Sequence, residues 1–492
     1  MERRDFLSKL PAAGIAGVAL LGASSAASQN TPQALDDYPF VSVRDFGAVG
    51  DGVADDTTSL QNAFNAAAMG SHGLLFPDGI YRITRTLAHT TGALCLSGIG
   101  SASQVTIRMD AAGDMLVGGT TVVDGIFFKH SGATGSCLVA QGDGSRISAC
   151  TFQNGASNSS PLVQMHRSNQ TVKDCYFENN CQTSFSIVVE RSVLGLCING
   201  SIKGNRFYGA GQGLCFTSSV SDGRPEGWSV TDNKFVTTGN EAILVNAGLH
   251  LSIASNVIDQ ARLHAVSLTP LSVGIDGVTI LDNYIATPAN TGGVGIQTQN
   301  GVGAIRHLKV SNNNFELCGY GMIVSNRVRF LSAVGNSFDN ISESSIFLAS
   351  ADSASITANT FRGDNFHLAI AGTGGSCTVQ SNVFDRLGSI YYELGDRDGF
   401  EFSGNTGIRL SGWCSGVIST ASGGSDFYLS IPHGLPFAPN LSKVSASVVQ
   451  MSGGHMNVSA LIHGADQTNV VVQVFCQTVL RGSLKVNLFV SI

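Results

Sequence analysis

One six-residue phrase constrains the fold of this chain more than any other feature. It places an apolar residue three positions before an asparagine and an aromatic or aliphatic residue two positions after it. The phrase is centred on Asn205, Asn233, Asn256, Asn283 and Asn313, with Ile202 and Phe207, Val230 and Phe235, Ile253 and Ile258, Ile280 and Ile285, and Val310 and Phe315 around them. It continues at Asn336, Asn359 and Asn382 and degenerates at Asn405. From Asn313 to Asn405 the asparagines recur every 23 residues. A fixed period of this length marks a solenoid, whose repeats bury their apolar faces only by stacking on one another.

Short alternating runs rich in Val, Ile, Phe and Ser predict strands rather than helices in each coil. Expected strands include 242–246, 265–268, 295–299, 322–325 and 346–348. Gly and Asn punctuate the runs where the chain must turn. Two or three short strands in about 23 residues give the geometry of a parallel β-helix, with equivalent residues of successive coils about 4.8 Å apart. At that spacing the asparagine amides can hydrogen-bond along the axis as a ladder. Toward the N-terminus the phrase keeps its apolar positions but replaces Asn by Gly125, Cys150 and Cys175. Spacings of 30 residues, such as Asn283 to Asn313, imply loops inserted on one face, which is often the binding face. Asp55 and Asp56 followed by 57–68 read as a capped helix that buries Leu60, Phe64, Ala67 and Ala68 over the first coil.

Composition narrows the function. Only 13% of the 492 residues are charged, the net charge is −7 and the pI is near 5.8, which argues against nucleic acid or an anionic membrane as partner. Arg3 and Arg4 precede Phe6, Leu7, Lys9 and an apolar run too short to span a bilayer. Residues 1–28 are therefore expected to be a removable export signal, similar to the twin-arginine type, with an ordinary secretory signal as the alternative. The mature protein would be periplasmic or extracellular, with no membrane anchor after removal of the signal. The eleven cysteines are an odd count and include no C-x-x-C pair. Buried thiols, with one or two disulfides at most, are the expectation; Cys215 is placed at an inward strand position. No metal cluster is expected.

The stretch from Val43 through Asp55, Asp56 and Phe64 closely resembles the opening of the pectate-lyase-like β-helix superfamily. Residues 75–83 match its continuation, and 96–100 fit its first core strand and turn. The resemblance implies a right-handed parallel β-helix acting on a polysaccharide. It also assigns Asp55 and Asp56 to the N-terminal cap rather than to catalysis. The polygalacturonase motifs Asn-Thr-Asp, Asp-Asp, Gly-His-Gly and Arg-Ile-Lys are absent from the middle coils, as is the Asp-Pro-His motif of mannuronan epimerases. No family active site transfers residue by residue. The expected organisation is an all-β chain, with the β-helix over 38–416 and a small, sandwich-like antiparallel β domain over 417–492. That last segment is similar to the domains that end phage tailspikes. This likeness implies a homotrimer, with a monomeric cap over the last coil as the alternative.

Counting eight residues on from each ladder asparagine aligns Gly213, Glu241, His264, Ser344 and His367. Glu241 and His264 would then be neighbours on adjacent coils, and a carboxylate beside an imidazole suits general acid–base work. Asp259 would add a second carboxylate and Arg262 a cation for an acidic sugar or a developing anion. Asn246, Thr269, Gln297, Gln299 and Asn326 would line a polar face for sugar hydroxyls. Glu190, beside Arg191, and Glu343 are further carboxylates in play. The Glu241–His264 pair is equally readable as a structural cross-strand contact. The alternating column Asp339, Arg362 and Asp385 reads as purely structural. The sequence reading is thus an exported enzyme that cleaves glycosidic bonds as hydrolase or lyase. It needs no cofactor, unless Ca²⁺ serves an elimination. A non-catalytic polysaccharide-binding or spike-like surface protein is the alternative.

Overall fold

The computed structural model describes residues 39–492 apart from 71, 101–103, 237, 289–291, 326–327, 363–365, 372–374, 385–389, 393–399, 408–410, 421–425, 433–443, 451–457, 466–468, 477–481 and 492. The expected export signal and Asp385 of the charged column lie outside them. The coil has three strands. In the coil around Asn233, Ser229–Thr231 runs into Asp232 and the asparagine, Lys234–Val236 follows, and Glu241–Val245 closes the turn. Each strand pairs in parallel with its counterparts one coil away, which builds three rows. Among the described residues, the row containing Lys234–Val236 holds fourteen strands. The other two rows merge near the N-terminus, where the long strands Leu87–Gly98 and Leu116–Asp124 run through both. The row containing Glu241–Val245 is called the groove sheet below. Its members include Phe185–Arg191, Gln212–Ser218, His264–Leu268, Val294–Thr298 and Tyr320–Val324.

The asparagine phrase encodes a two-residue bend. The residue before the ladder position has positive φ: Asp232 58°, Ser255 56°, Asp282 54° and Asn312 54°. Short polar side chains tolerate this left-handed conformation better than most. The following asparagine then points inward and is at most 2% exposed from Asn205 through Asn382. Asn233 Nδ2 donates to Asn256 Oδ1 at 3.0 Å and to the Ile202 carbonyl at 2.9 Å, while Asn256 Nδ2 donates in turn to Asn283 Oδ1 at 2.9 Å. The bonds continue to Asn405. Two residues on from the ladder position, Phe128, Phe152, Phe177, Phe207 and Phe235 stack face to face with centroids 4.5–5.3 Å apart, and Phe315, Phe338, Phe361 and Phe384 form a second stack. In the coil of Phe128 the ladder position is Ile126 rather than the expected Gly125. Offset stacking of this kind adds to the free energy of burial.

The ends follow the sequence reading in part. The helix Thr57–Gly70 buries Leu60, Ala63, Phe64 and Ala67, while Ala68 is only half-buried. The buried Asp56 carboxylate accepts the Val49 and Gly50 N–H groups, and Asp55 accepts from Thr57 and Thr84. Both carboxylates serve the cap. From Ser411 onward the strands pair antiparallel in two three-stranded sheets. Val458–Ala465 is a strand that the sequence pattern does not single out.

The cysteines bear out one expectation and correct another. Among the described residues nine are free, buried thiols, as expected. Burial pushes the Cys215 thiol up to about 12. Cys215 is also not inward: it lies between the core residues Leu214 and Phe216, and Asn246 Nδ2 reaches its sulfur at 4.0 Å from the groove side.

The first coils carry an acid-sensitive histidine. His89 is 4% exposed, Nε2 meets Thr121 Oγ1 at 2.9 Å, and Nδ1 has no hydrogen-bond partner. A Cβ at Gly118 would sit 2.0 Å from Nε2, so only glycine leaves room for the ring. Burial pushes the His89 pKa down to about 4. The unfolded chain takes this proton near ~6.5, and the folded chain takes it only near pH 4. The unfolded state therefore binds more protons in between, and stability is expected to fall as pH drops through that window. Thermal denaturation across pH should show this slope, and His89→Gln should flatten it. An unchanged slope would place the acid sensitivity elsewhere.

Candidate functional site

The groove sheet starts from a local irregularity. In Glu241–Val245, Ala242 and Ile243 are both buried, so alternation resets after Glu241 and leaves its carboxylate at the entrance of the strand. Glu241 is the register partner of His264. His264 Nδ1 lies 3.4 Å from Glu241 Oε1, with the side chains 14% and 17% exposed. The contact lacks hydrogen-bond geometry, so Nδ1 is buried without a hydrogen-bond partner. A shielded imidazole edge against a carboxylate can exchange a proton with a group that enters the site, and such contacts tighten when substrate arrives.

The eight-residue count behind this alignment holds for Glu241, His264 and Ser344 but not throughout. Gln212 stands one strand step from Glu241, where the count places Gly213, and Phe366 pairs with Ser344 where it places His367. The turns before these two strands are one residue shorter.

The structure disposes the other expected residues around the pair. Asp259 ends the strand Val257–Asp259 on the fourteen-stranded sheet, beside Val236 and Ala286, so the turn into the groove sheet separates it from His264. Arg262 sits within that turn with an exposed side chain, its N–H on the Gly239 carbonyl. Asn246, Thr269 and Gln299 follow the inward residues Val245, Leu268 and Thr298 and share one half-buried column at the far end of the strands. Gln297 lies on a neighbouring column with Ser267, whose hydroxyl is 3.4 Å from Thr269 Oγ1. Asn326 lies outside the described residues. Asp339 and Arg362 are register partners, as the charged column requires.

A second carboxylate–imidazole pair escapes the sequence reading. His166 Nδ1 is 3.6 Å from Glu190 Oε2, and its Nε2 is 3.1 Å from Gln164 Oε1. Burial holds the His166 pKa below the ordinary imidazole value, against the opposing pull of Glu190. The coil register Met165 to Val189 brings the two together. Counting from Cys150 and Cys175 misses it, because the turn preceding Val163 is one residue longer than the turn preceding Ile187. Glu190 and Glu241 are two coils and five residues apart, about 19 Å between backbones at strand spacings. Each bends toward its own histidine, on opposite sides. They are two separate sites rather than one carboxylate pair at the ~5–9.5 Å of glycosidases. Among the described residues, no group of three or more His, Cys, Asp or Glu side chains is arranged to hold a metal ion.

A three-row parallel solenoid, a helix-capped first coil and a polar groove sheet together define a parallel β-helix protein. Residues 40–262 match the family described as rhamnogalacturonase A/epimerase, pectate lyase-like. A glucan 1,3-beta-glucosidase of Cochliobolus carbonum is 39% identical over 77 residues, 15% of this chain and 10% of that protein. Plasmin and fibronectin-binding protein A of Streptococcus pneumoniae is 49% identical over 45 residues, 9% of this chain and 6% of that protein. The chain thus aligns with only a small part of either relative. The solved catalytic unit of a Streptomyces thermodiastaticus alpha-1,3-glucanase superposes with TM-score 0.50 at 14% identity, covering 78% of this chain and 70% of that one. The Streptococcus pneumoniae surface protein and adhesin PfbA gives TM-score 0.50 at 15% identity, over 74% of this chain and 99% of that one. At these identities the likeness concerns the fold.

Proposed function

We propose that this protein is an exported enzyme that cleaves glycosidic bonds of a polysaccharide lying along the groove sheet between about residues 185 and 330. The observation that carries the reading is the buried contact of His264 Nδ1 with Glu241 on the open sheet, at the head of strands whose far ends carry Asn246, Thr269 and Gln299. In this reading Glu241 and His264 exchange the proton. Asp259 and Arg262 act from the adjoining turn, and Gln297, Gln299, Thr269, Asn246 and Asn326 bind sugar hydroxyls. A β-helix family match over residues 40–262 and a glucanase fold neighbour support a polysaccharide as the substrate. Among the described residues, no helix is long and apolar enough to cross a membrane. Export, release outside the cytoplasm and trimerisation through the C-terminal strands belong to the same proposal, and light scattering of the purified protein would read the last.

Incubation with a panel of bacterial and plant polysaccharides tests the reaction. New reducing ends without ultraviolet absorbance would mark hydrolysis, and a conjugated double bond would mark elimination. Activity is expected to persist in the presence of a chelator; its loss would bring Ca²⁺ into the mechanism. A second reading, a non-catalytic polysaccharide-binding surface protein, draws on the separation of Glu190 from Glu241, which leaves each site with one carboxylate of a pair. Tight binding with neither product signal would establish it.

A further inference from the structure

We propose that a cavity beside the far end of the groove sheet binds the charged group of an acidic sugar unit. Loops leave the groove-sheet strands there, and their lengths differ. Residues 219–228 and 269–278 make long excursions, while the coil between them turns back within 246–251. The short turn leaves a gap, and Arg224 spans it: its Nη1 donates to the Val273 carbonyl at 2.9 Å, two coils away. The resulting cavity of about 200 Å³ is lined by Arg224, Arg306, Ser272, Gly274 and Ala304, among others. It is smaller than the roughly 300–1,000 Å³ of sites that enclose drug-sized ligands. It therefore suits one substituent or one sugar unit rather than an oligosaccharide.

The electrostatics select an anion. Among the described residues, the Arg224 side chain has no hydrogen-bond or ion-pair partner apart from the Val273 carbonyl, and the Arg306 side chain has none. The carboxylate nearest in register, Asp276, faces Arg306 across the short parallel strands Ile275–Asp276 and Ile305–Arg306. It is already engaged by His307 Nδ1 at 2.8 Å. The planar forks of Arg224 and Arg306 match a carboxylate or sulfate bidentately. The floor stays open because Gly274 has φ 73°, and a Cβ there would sit 2.9 Å from the Ala304 oxygen. Ser272 supplies a neutral donor.

The assignment to a sugar rests on the proposed polysaccharide reading. Thr269 and Gln299 of the polar column lead within a few residues into Ser272 and Ala304. A glycan on that column would bring a carboxylate-bearing unit to the two arginines.

Calorimetric titration of the full-length protein with sodium glucuronate, glucose and sodium sulfate at constant ionic strength tests the site. Glucuronate is expected to bind wild type at least tenfold more tightly than glucose does. The double variant Arg224→Gln, Arg306→Gln should lose that tenfold advantage, and Arg224→Lys should keep part of it. The Arg306 side chain has no hydrogen-bond or ion-pair partner among the described residues, so Arg306→Gln alone gives a folded variant in which the loss must already be visible. Equal affinity of glucuronate for wild type and double variant would overturn the proposal, and sulfate binding without glucuronate binding would overturn the sugar assignment. Turnover is not measured, so a negative result leaves the cleavage assay standing. Arginine-dependent glucuronate binding without cleavage would remove only the enzymatic reading.

Discussion

Replacing Asn283 by Ala should lower the stability of the solenoid by about 4 kcal/mol. Its Oδ1 accepts from the backbone N–H and the Nδ2 of Asn256, each at 2.9 Å. Its Nδ2 donates to the Ile253 carbonyl and to Asn313 Oδ1, each at 2.9 Å. Truncation takes the acceptor from the Asn256 N–H and the amide donor from the Ile253 carbonyl in a dry interior, and each orphan costs roughly 1–3 kcal/mol. Asn256 Nδ2 keeps the Val230 carbonyl, and Asn313 Oδ1 keeps the Asn283 N–H. The cavity left by the lost amide adds to this. Coils touch only their neighbours, so a defect in the middle separates two stacks that could otherwise support one another. Urea denaturation measures the loss. Asn283→Asp should also be destabilising, since it keeps the acceptor but turns a carboxylate toward the Asn313 and Ile253 oxygens. Ser252→Ala, at a half-buried position of the neighbouring coil around Asn256, should change stability by less than about 0.5 kcal/mol. A loss below about 1 kcal/mol for Asn283→Ala would mean that the ladder follows the fold rather than supporting it.

If the cleavage reading is right, Glu241→Gln and His264→Ala should each reduce turnover by about 10²–10⁴-fold, the range contributed by a positioned acid or base. The contact is cross-strand and each side chain is only partly exposed, so folding must be checked by denaturation before the rates are compared. Glu241→Gln conserves volume and should fold like wild type. The pair at His166 and Glu190 is the internal control. It has the same two groups at a similar separation, on the same sheet, but two coils away and at the other end of the strands. Glu190→Gln should leave turnover within a few-fold. The opposite pattern would move the chemistry to the second pair, and losses at neither would make both pairs cross-strand contacts of a fraction of a kcal/mol.

The ladder was readable because its physics is local and repeated. Asp232, Ser255 and Asp282 take the left-handed turn, the next residue points inward, and Phe or Ile follows two places on. Each coil repeats the same constraint, so the phrase survives as a pattern and fixes the strands on either side. The Glu241–His264 contact was legible for the same reason: the turns between Asn233 and Glu241 and between Asn256 and His264 have equal length. Where the turns differ by one residue, counting fails. That is why Gln212 stands where Gly213 was expected, and why His166 and Glu190 were not brought together. Cys215 shows the converse error, since burial alone does not say which face of a strand a residue occupies.

The sequence by itself determined the architecture: a helix-capped parallel solenoid with an asparagine ladder and aromatic stacks, because nearest-neighbour burial writes a period into the chain. Only the tertiary structure decided which outward side chains meet. Glu190 with His166, and Arg224 with Arg306, are set by the lengths of non-repeating loops. Such loops carry no periodic signal, because nothing inside the core constrains how far they extend before the next strand begins.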